Sequence, residues 1–162
     1  MYEYRVNIVK VVDGDTVDVD IDLGFGVMLN DERVRIMGID TPESRTRDKV
    51  EKVFGKAAKK ALQDILGKTS ILKTQINKNG EDMKGKFGRI LGDFIIDRNG
   101  ESISVVQALV EDGHAVEYFG GSKDDVKAAH MANRKKLIDE GVVDMDYATA
   151  GIQAQGQAAF NP

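Results

Sequence analysis

The sequence predicts an α+β fold, a small closed or partly closed barrel with helices packed on it. Three observations predict it. Much of residues 1–44 carries the period-two alternation of strands half-buried in a sheet. Residues 49–66 carry the i, i+3, i+4 apolar spacing of a helix. The later strands and helices interleave without a regular βαβ alternation, so a parallel doubly wound sheet is not expected.

The elements follow in order. Residues 4–12 are β-rich and end at Asp13-Gly14, a tight-turn signal. From Thr16 onward Val17, Val19, Ile21 and Leu23 alternate with Asp18, Asp20 and Asp22, a strand with one solvated carboxylate face. Gly24-Phe25-Gly26 and Asn30-Asp31 mark a loop. Residues 32–39 alternate again, with Arg33 and Arg35 opposite Val34 and Ile36, and Pro42 ends that strand. The helix over 49–66 sets Val50, Val53, Phe54, Ala57, Ala61, Leu62 and Ile65 on one stripe, with Gly67 at the C-cap. Lys52, Lys56, Lys59 and Lys60 lie off that stripe. Residues 70–77 and 89–97 read as strands, and Asp97-Arg98-Asn99-Gly100 as a turn. Ser104 with Gln107 opens a short helix that stops at Gly113, and Ser122 with Asp125 opens another to about 140. Residues 1–141 are expected to form one domain. Residues 142–162 read as a polar C-terminal tail, loosely held where Ala, Gln and Gly dominate.

Composition excludes several classes. Hydrophobic residues make up 41% and charged residues 31%, with two prolines, as in a soluble globule. No run approaches the roughly 18 apolar residues of a spanning helix, so no membrane is expected. Met1-Tyr2-Glu3-Tyr4-Arg5 shows no apolar core of a secretory signal. The expectation is a cytoplasmic monomer, with secretion left open. The absence of cysteine removes disulfides, thiolate metal sites and cysteine nucleophiles. The net charge of −4 suits no polyanionic partner at first sight. Its distribution says otherwise. Residues 1–44 carry 4 Lys and Arg against 10 Asp and Glu, residues 45–89 carry 13 against 5, and residues 90–162 carry 6 against 12. A cationic middle can present a basic face whatever the total.

Three segments can carry chemistry. Asp13-Gly14-Asp15-Thr16 reads as a hairpin turn with a polar tip, or as two carboxylates offered to a hard cation. Arg35 and Asp40-Thr41-Pro42-Glu43 read as a strand end and a Pro turn, or as something denser. Asp40 can give a metal oxygen, Thr41 a carbonyl held extended before proline, and Glu43 a carboxylate that orients or deprotonates a water. Arg35 can grip a phosphate bidentately. Gly85-Lys86-Phe87-Gly88-Arg89 is a basic hairpin tip, or the source of a second phosphate-binding arginine with Lys86 beside it. Two lookalikes fail. Asp18, Asp20 and Asp22 lack the glycine and the glutamate that a calcium-binding helix–loop–helix would place at Leu23 and Leu29. His114 and His130 lack metal-ligand spacing and a neighbouring nucleophile, so a histidine-based site is not expected.

Taken together, Asp-Gly-Asp-Thr, Arg-x-x-x-x-Asp-Thr-Pro-Glu and Lys-Phe-Gly-Arg resemble the staphylococcal nuclease family. Ala108-Leu109-Val110-Glu111-Asp112-Gly113-His114-Ala115 resembles that family's second helix and its exit. The resemblance spans roughly residues 4–140. It implies an OB-fold five-stranded barrel with three helices. It implies Ca²⁺ bound by Asp15, Asp40 and the Thr41 carbonyl, with Asp13 supporting the site through water. It implies phosphate binding by Arg35 and Arg89, with Glu43 as the general base. The implied reaction is hydrolysis of DNA and RNA phosphodiesters, single strands favoured, leaving 3′-phosphate and 5′-hydroxyl ends. The chemistry is coherent, because a cation and two guanidinium forks stabilise the charge that develops around phosphorus. Lys86 and Phe87 are expected to help bind substrate. Tyr118 and Phe119 either offer a stacking surface or pack in the core.

The chain departs from the family pattern in places. Phe87 stands where relatives often carry tyrosine. The stretch from Asp15 to Arg35 is long, which suggests an enlarged loop at 24–31 near the site. Gly120-Gly121 replaces an aromatic cluster. A non-catalytic OB-fold nucleic-acid-binding module is the alternative. Its mark would be a substitution at Glu43, an arginine or an aspartate, and none is seen. A protein-docking role for the last helix and tail is a third reading.

Overall fold

The computed structural model describes residues 2–75, 80–84 and 88–153. The alternating stretches form strands. β1 (Glu3–Asp13) turns into β2 (Thr16–Asp22), and β2 returns as β3 (Met28–Ile36). A two-residue strand, β4 (Ile39–Asp40), leads to α1 (Lys49–Leu66), then β5 (Thr69–Thr74), β6 (Ile90–Arg98) and β7 (Glu101–Ser104). The chain ends through α2 (Val105–Glu111), β8 (Val116–Glu117) and α3 (Lys123–Asp139).

Five strands close a ring. β1 lies between β2 and β5, β2 pairs with β3, and β5 pairs with β6, all antiparallel. β3 and β6 then pair in parallel, Val34 with Ile90 and Arg35 with Leu91, and shut the barrel. This is the expected OB-type barrel in an α+β fold, with β7 added beside β6. Closure hides backbone edges that would otherwise invite pairing with another chain. It also brings Arg35 and the start of β6, just after Arg89, to one side of the barrel.

Packing follows the alternation. Val17, Val19, Val34, Ile36, Leu72 and Phe94 point inward and are wholly buried. Leu62 and Leu66 of α1, with Val105 and Leu109 of α2, pack against them. Each such side chain contributes about 1.5–3 kcal/mol by leaving water. Asp48 caps α1 by accepting from the Val50 and Glu51 N–H groups at 3.0 Å, and Gly67 ends it. Ser104 and Ser122 cap α2 and α3 as expected.

Three expectations change. The carboxylate face of β2 is not simply solvated. Asp18 lies opposite Arg33 across the β2–β3 pair and is buried, accepting from Nε at 2.8 Å and Nη2 at 3.1 Å. Asp20 accepts from the Asp31 N–H, and Asp22 from the Gly24 N–H. The segment 24–31 is not an enlarged loop near Asp15. Its second half, 28–31, extends β3, leaving a tight turn closed by Leu23 N–H to Val27 O and Val27 N–H to Gly24 O, each 2.9 Å. Its tip, at the Asp22–Met28 pair, stands at the opposite end of the hairpin from the Thr16–Arg35 pair.

The third change concerns the tail. Residues 142–152 pack back onto the protein. Val143 and Ala150 join Phe54 and Leu137 in a second core, flanked by Met145 and Ile152. The turns that carry them have neither a helical nor a strand period, so their apolar residues show no pattern in the sequence. Residues 154–162 lie outside the described residues.

Candidate functional site

The site is assembled from two turns and a loop. The first turn is Asp13-Gly14-Asp15-Thr16, between β1 and β2. Gly14 lets it press against its neighbours: a Cβ there would lie 2.9 Å from Ala58 Cβ and 3.4 Å from Thr41 Cβ. The absent side chain therefore lets the turn lie against Thr41 and Ala58. Asp15 is tied down on both ends. Its carbonyl accepts from the Ile36 N–H at 2.8 Å, and Oδ1 accepts from the Thr16 hydroxyl at 2.8 Å. Its Oδ2 lies 3.3 Å from Arg35 Nη2. Asp13 Oδ1 accepts from the Ser44 hydroxyl, which links the turn to the loop after Pro42.

Arg35 leaves the end of β3, outward because Val34 and Ile36 point inward. Its Nη1 donates to the Ile36 carbonyl and its Nη2 to the Ile39 carbonyl at 3.2 Å. One guanidinium thus bridges the β1–β2 turn and the β3–β4 turn. Asp40 ends β4, which pairs with β8 at Val116. Thr41 is buried. Glu43 is exposed, and its N–H donates to Glu51 Oε2 of α1 at 3.0 Å. Gly55 sits under this loop. A Cβ there would be 2.2 Å from the Glu43 carbonyl oxygen, so the helix carries glycine where the loop crosses it.

Arg35 and Arg89 line one cleft of about 890 Å³ with Met37, Met83, Tyr118 and Phe119. The aromatic pair is surface rather than core: Tyr118 is 38% exposed and Phe119 84%. The Phe119 ring covers Gly38, and the Tyr118 N–H donates to the Gly38 carbonyl at 2.9 Å. Asp93 lines the same cleft. Burial pushes its carboxyl up, against the lowering effect of the Phe94 and Val106 N–H groups that it accepts from. Arg89 also borders a second cleft of about 370 Å³ with Asp13, Thr16, Arg33 and Arg45. Lys86 and Phe87 lie outside the described residues.

One residue set aside in the sequence stands at the site. His130 of α3 meets Asp40, Nε2 to Oδ2 at 2.7 Å. Ninety positions separate them, so no local spacing could reveal the pair. The visible signal was weaker: His130, Asn133 and Arg134 form a polar stripe at i, i+3, i+4 on a helix. His114, by contrast, is a packed residue. It is 7% exposed, and its Nδ1 has no partner among the described residues. Burial pulls its pKa down.

Residues 33–140, about two thirds of the chain, match the family model of the staphylococcal nuclease homologues. This chain belongs to the staphylococcal nuclease family. Two curated relatives are similar beyond the family match. The uncharacterised protein MJ1439 of Methanocaldococcus jannaschii is 31% identical, over 72% of this chain and 60% of its own. Protein ParB of Escherichia coli is 30% identical, over 76% of this chain and 63% of its own. The chain therefore spans about three fifths of the length of these two relatives. No helix among the described residues is long and apolar enough to cross a membrane.

Proposed function

We propose that this protein is a Ca²⁺-dependent nuclease that hydrolyses phosphodiester bonds of DNA and RNA, single strands favoured, and leaves 3′-phosphate and 5′-hydroxyl ends. The observation that carries the reading is the Arg35 bridge. It fixes the turn bearing Asp15 to the turn that runs into Asp40, Thr41 and Glu43. Family membership supplies the reaction class.

The donors suit a hard cation. Asp15, Asp40 and the Thr41 carbonyl offer only oxygens, as Ca²⁺ prefers, with water completing its shell. Among the described residues no three His, Cys, Asp or Glu side chains gather as a metal cluster, so the cation would be held by two carboxylates and one carbonyl rather than by a dense ligand set. When bound, Ca²⁺ supplies positive charge beside the phosphoryl oxygens. Arg35 and Arg89 bind and orient the scissile phosphate as planar forks. Glu43 stands exposed on its loop, where it orients the attacking water and takes its proton. The P–O5′ bond breaks, which leaves the phosphate on the 3′ side. Because Arg35 is already held by two carbonyls and Asp15, little reorganisation is needed as charge develops.

Substrate binding is proposed to follow the backbone rather than the bases. The smaller cleft continues from Arg89 to Arg33 and Arg45, and Lys52 and Lys56 of α1 are exposed nearby in sequence. Exposed Tyr118 and Phe119 offer ring faces to unstacked bases, which favours single strands. The test is an end-group analysis of a labelled single-stranded oligonucleotide cleaved at rising salt. The reading predicts 3′-phosphate products and a rate at limiting substrate that falls several-fold from 50 to 200 mM salt as counterion release weakens binding. Products ending in 3′-hydroxyl, or a flat salt response, would overturn it.

A further inference from the structure

We propose that His130 is a positioning residue for Asp40, fixing one carboxylate oxygen so that the other is presented to a divalent cation. The proposal rests on the Ca²⁺-dependent reading above. A carboxylate has no hydrogen to give, so the His130 ring donates from Nε2 to Asp40 Oδ2 at 2.7 Å. No hydrogen bond among the described residues occupies Asp40 Oδ1. The Asp40 side chain is 44% exposed, so water could satisfy it without help. The bond to His130 therefore selects a geometry rather than rescuing a buried charge.

Asp40 needs that selection. β4 is two residues long and, among the described residues, pairs only with β8, itself two residues long. Such a short ladder fixes the backbone weakly and the side chain not at all. α3 grips this pair through one polar stripe. His130 holds Asp40, and Asn133 Nδ2 donates to the Ala115 carbonyl, just before β8, at 3.2 Å. One residue on, Arg134 anchors the helix, donating to the Ala150 carbonyl at 2.9 Å with its guanidinium 5.2 Å from the Phe54 ring centre. Helix docking is thus secured by Asn133 and Arg134 together with Leu137 in the second core. His130 alone of the three touches a proposed cation ligand. Freezing a ligand's rotamer before binding removes an entropic cost that the cation would otherwise meet, as hydrogen bonds to ligating carboxylates commonly do.

The test is a calorimetric Ca²⁺ titration of the full chain, comparing wild type with His130→Ala, His130→Gln and Asn133→Ala. His130→Ala is expected to weaken Ca²⁺ about tenfold. His130→Gln, whose amide can still donate, recovers most of that loss. Asn133→Ala, which loosens α3 without touching Asp40, leaves Ca²⁺ affinity nearly unchanged. In cleavage assays the half-saturating Ca²⁺ rises about tenfold in His130→Ala while the rate at saturating Ca²⁺ changes far less. If circular dichroism shows His130→Ala unfolded, His130→Asn takes its place, its amide being too short to reach. Wild-type affinity in His130→Ala, or an equal loss in Asn133→Ala, overturns the positioning role alone. A wild-type protein that binds no Ca²⁺ overturns both this role and the reading beneath it.

Discussion

The barrel and the layer formed by α3 with residues 142–152 differ in how far apolar burial holds them. The barrel buries a continuous set of large apolar side chains, Phe94, Ile36, Leu62, Leu72 and Leu109 among them. α3 buries only Leu137, in a small second core with Phe54, Val143 and Ala150, and a stripe of polar atoms on carbonyls and a carboxylate adds to its hold. Apolar burial is non-directional and tolerates many sequences, whereas each polar latch depends on one pair of atoms. The candidate site lies on the seam. Asp15 and Arg35 belong to the barrel, Asp40 is shared with α3, and Glu43 rests on α1. Barrel stability and site geometry should therefore respond to different substitutions.

The largest effect should come from the barrel itself. Phe94→Ala is expected to cost about 3–5 kcal/mol in urea unfolding, a large part of the 5–15 kcal/mol typical of a domain. Val143→Ala, in the second core, should cost about 1–2 kcal/mol from two lost methyl groups. Equal losses would mean that the two regions are one cooperative core and would dissolve the contrast.

Next come changes that strike chemistry and spare the fold. Glu43→Ala removes an exposed carboxylate, so its unfolding midpoint should stay put while the cleavage rate falls about 10²-fold, equivalent to ~2.7 kcal/mol. Arg35→Ala should lose as much rate and some stability too, because the guanidinium also binds two carbonyls. Near-native rates in either variant would remove that residue from its role.

A subtler probe is Gly55→Ala. In an exposed helix interior this change stabilises by about 0.5–1 kcal/mol. Here the new methyl would collide with the Glu43 carbonyl, so the expected result is a loss of about 1–3 kcal/mol together with reduced cleavage. A stabilised, fully active variant would show that the loop does not need its present seat on α1.

The smallest effect is a pH response. Buried His114 resists its proton in the fold, while the unfolded chain takes one near pH 6.5. The unfolded state thus binds more protons below about pH 6.5, and stability falls as pH drops, by at most about 1.4 kcal/mol per unit for this one group. The loss stops once the pH falls below the lowered pKa of the folded state. Asp93, with its carboxyl pushed up, acts in the opposite sense and in the carboxylate range. His114→Leu should flatten the slope just below pH 6.5 in urea midpoints measured across that range. An unchanged slope would place the titration elsewhere.

The same contrast explains what the sequence made legible. β2, β3 and α1 announce themselves because a face buried in one core imposes a period of two or 3.6 on apolar residues. Ser104 and Ser122 were visible because a cap bonds within three residues. The Asp-Gly-Asp and Asp-Thr-Pro-Glu turns were legible as local chemistry. Contacts between distant residues were not. Asp18 looked solvated because its partner Arg33 lies across a hairpin. His130 looked idle because Asp40 is ninety positions away. Val143 and Ala150 looked like tail because irregular turns bury them without a period. The 24–31 segment looked like a loop because Asn30-Asp31, a turn signal, sits at an irregularity inside exposed β3, where Asp31 takes φ 56°.

The most direct test of the account is one cleavage assay on single-stranded DNA, with the folded full chain in Ca²⁺, in Mg²⁺ alone and in Ca²⁺ with excess EGTA. The expected result is robust cleavage in Ca²⁺ that EGTA abolishes and that Mg²⁺ does not match. A folded protein that leaves the strand intact in Ca²⁺, or cuts it equally well in EGTA, would contradict it.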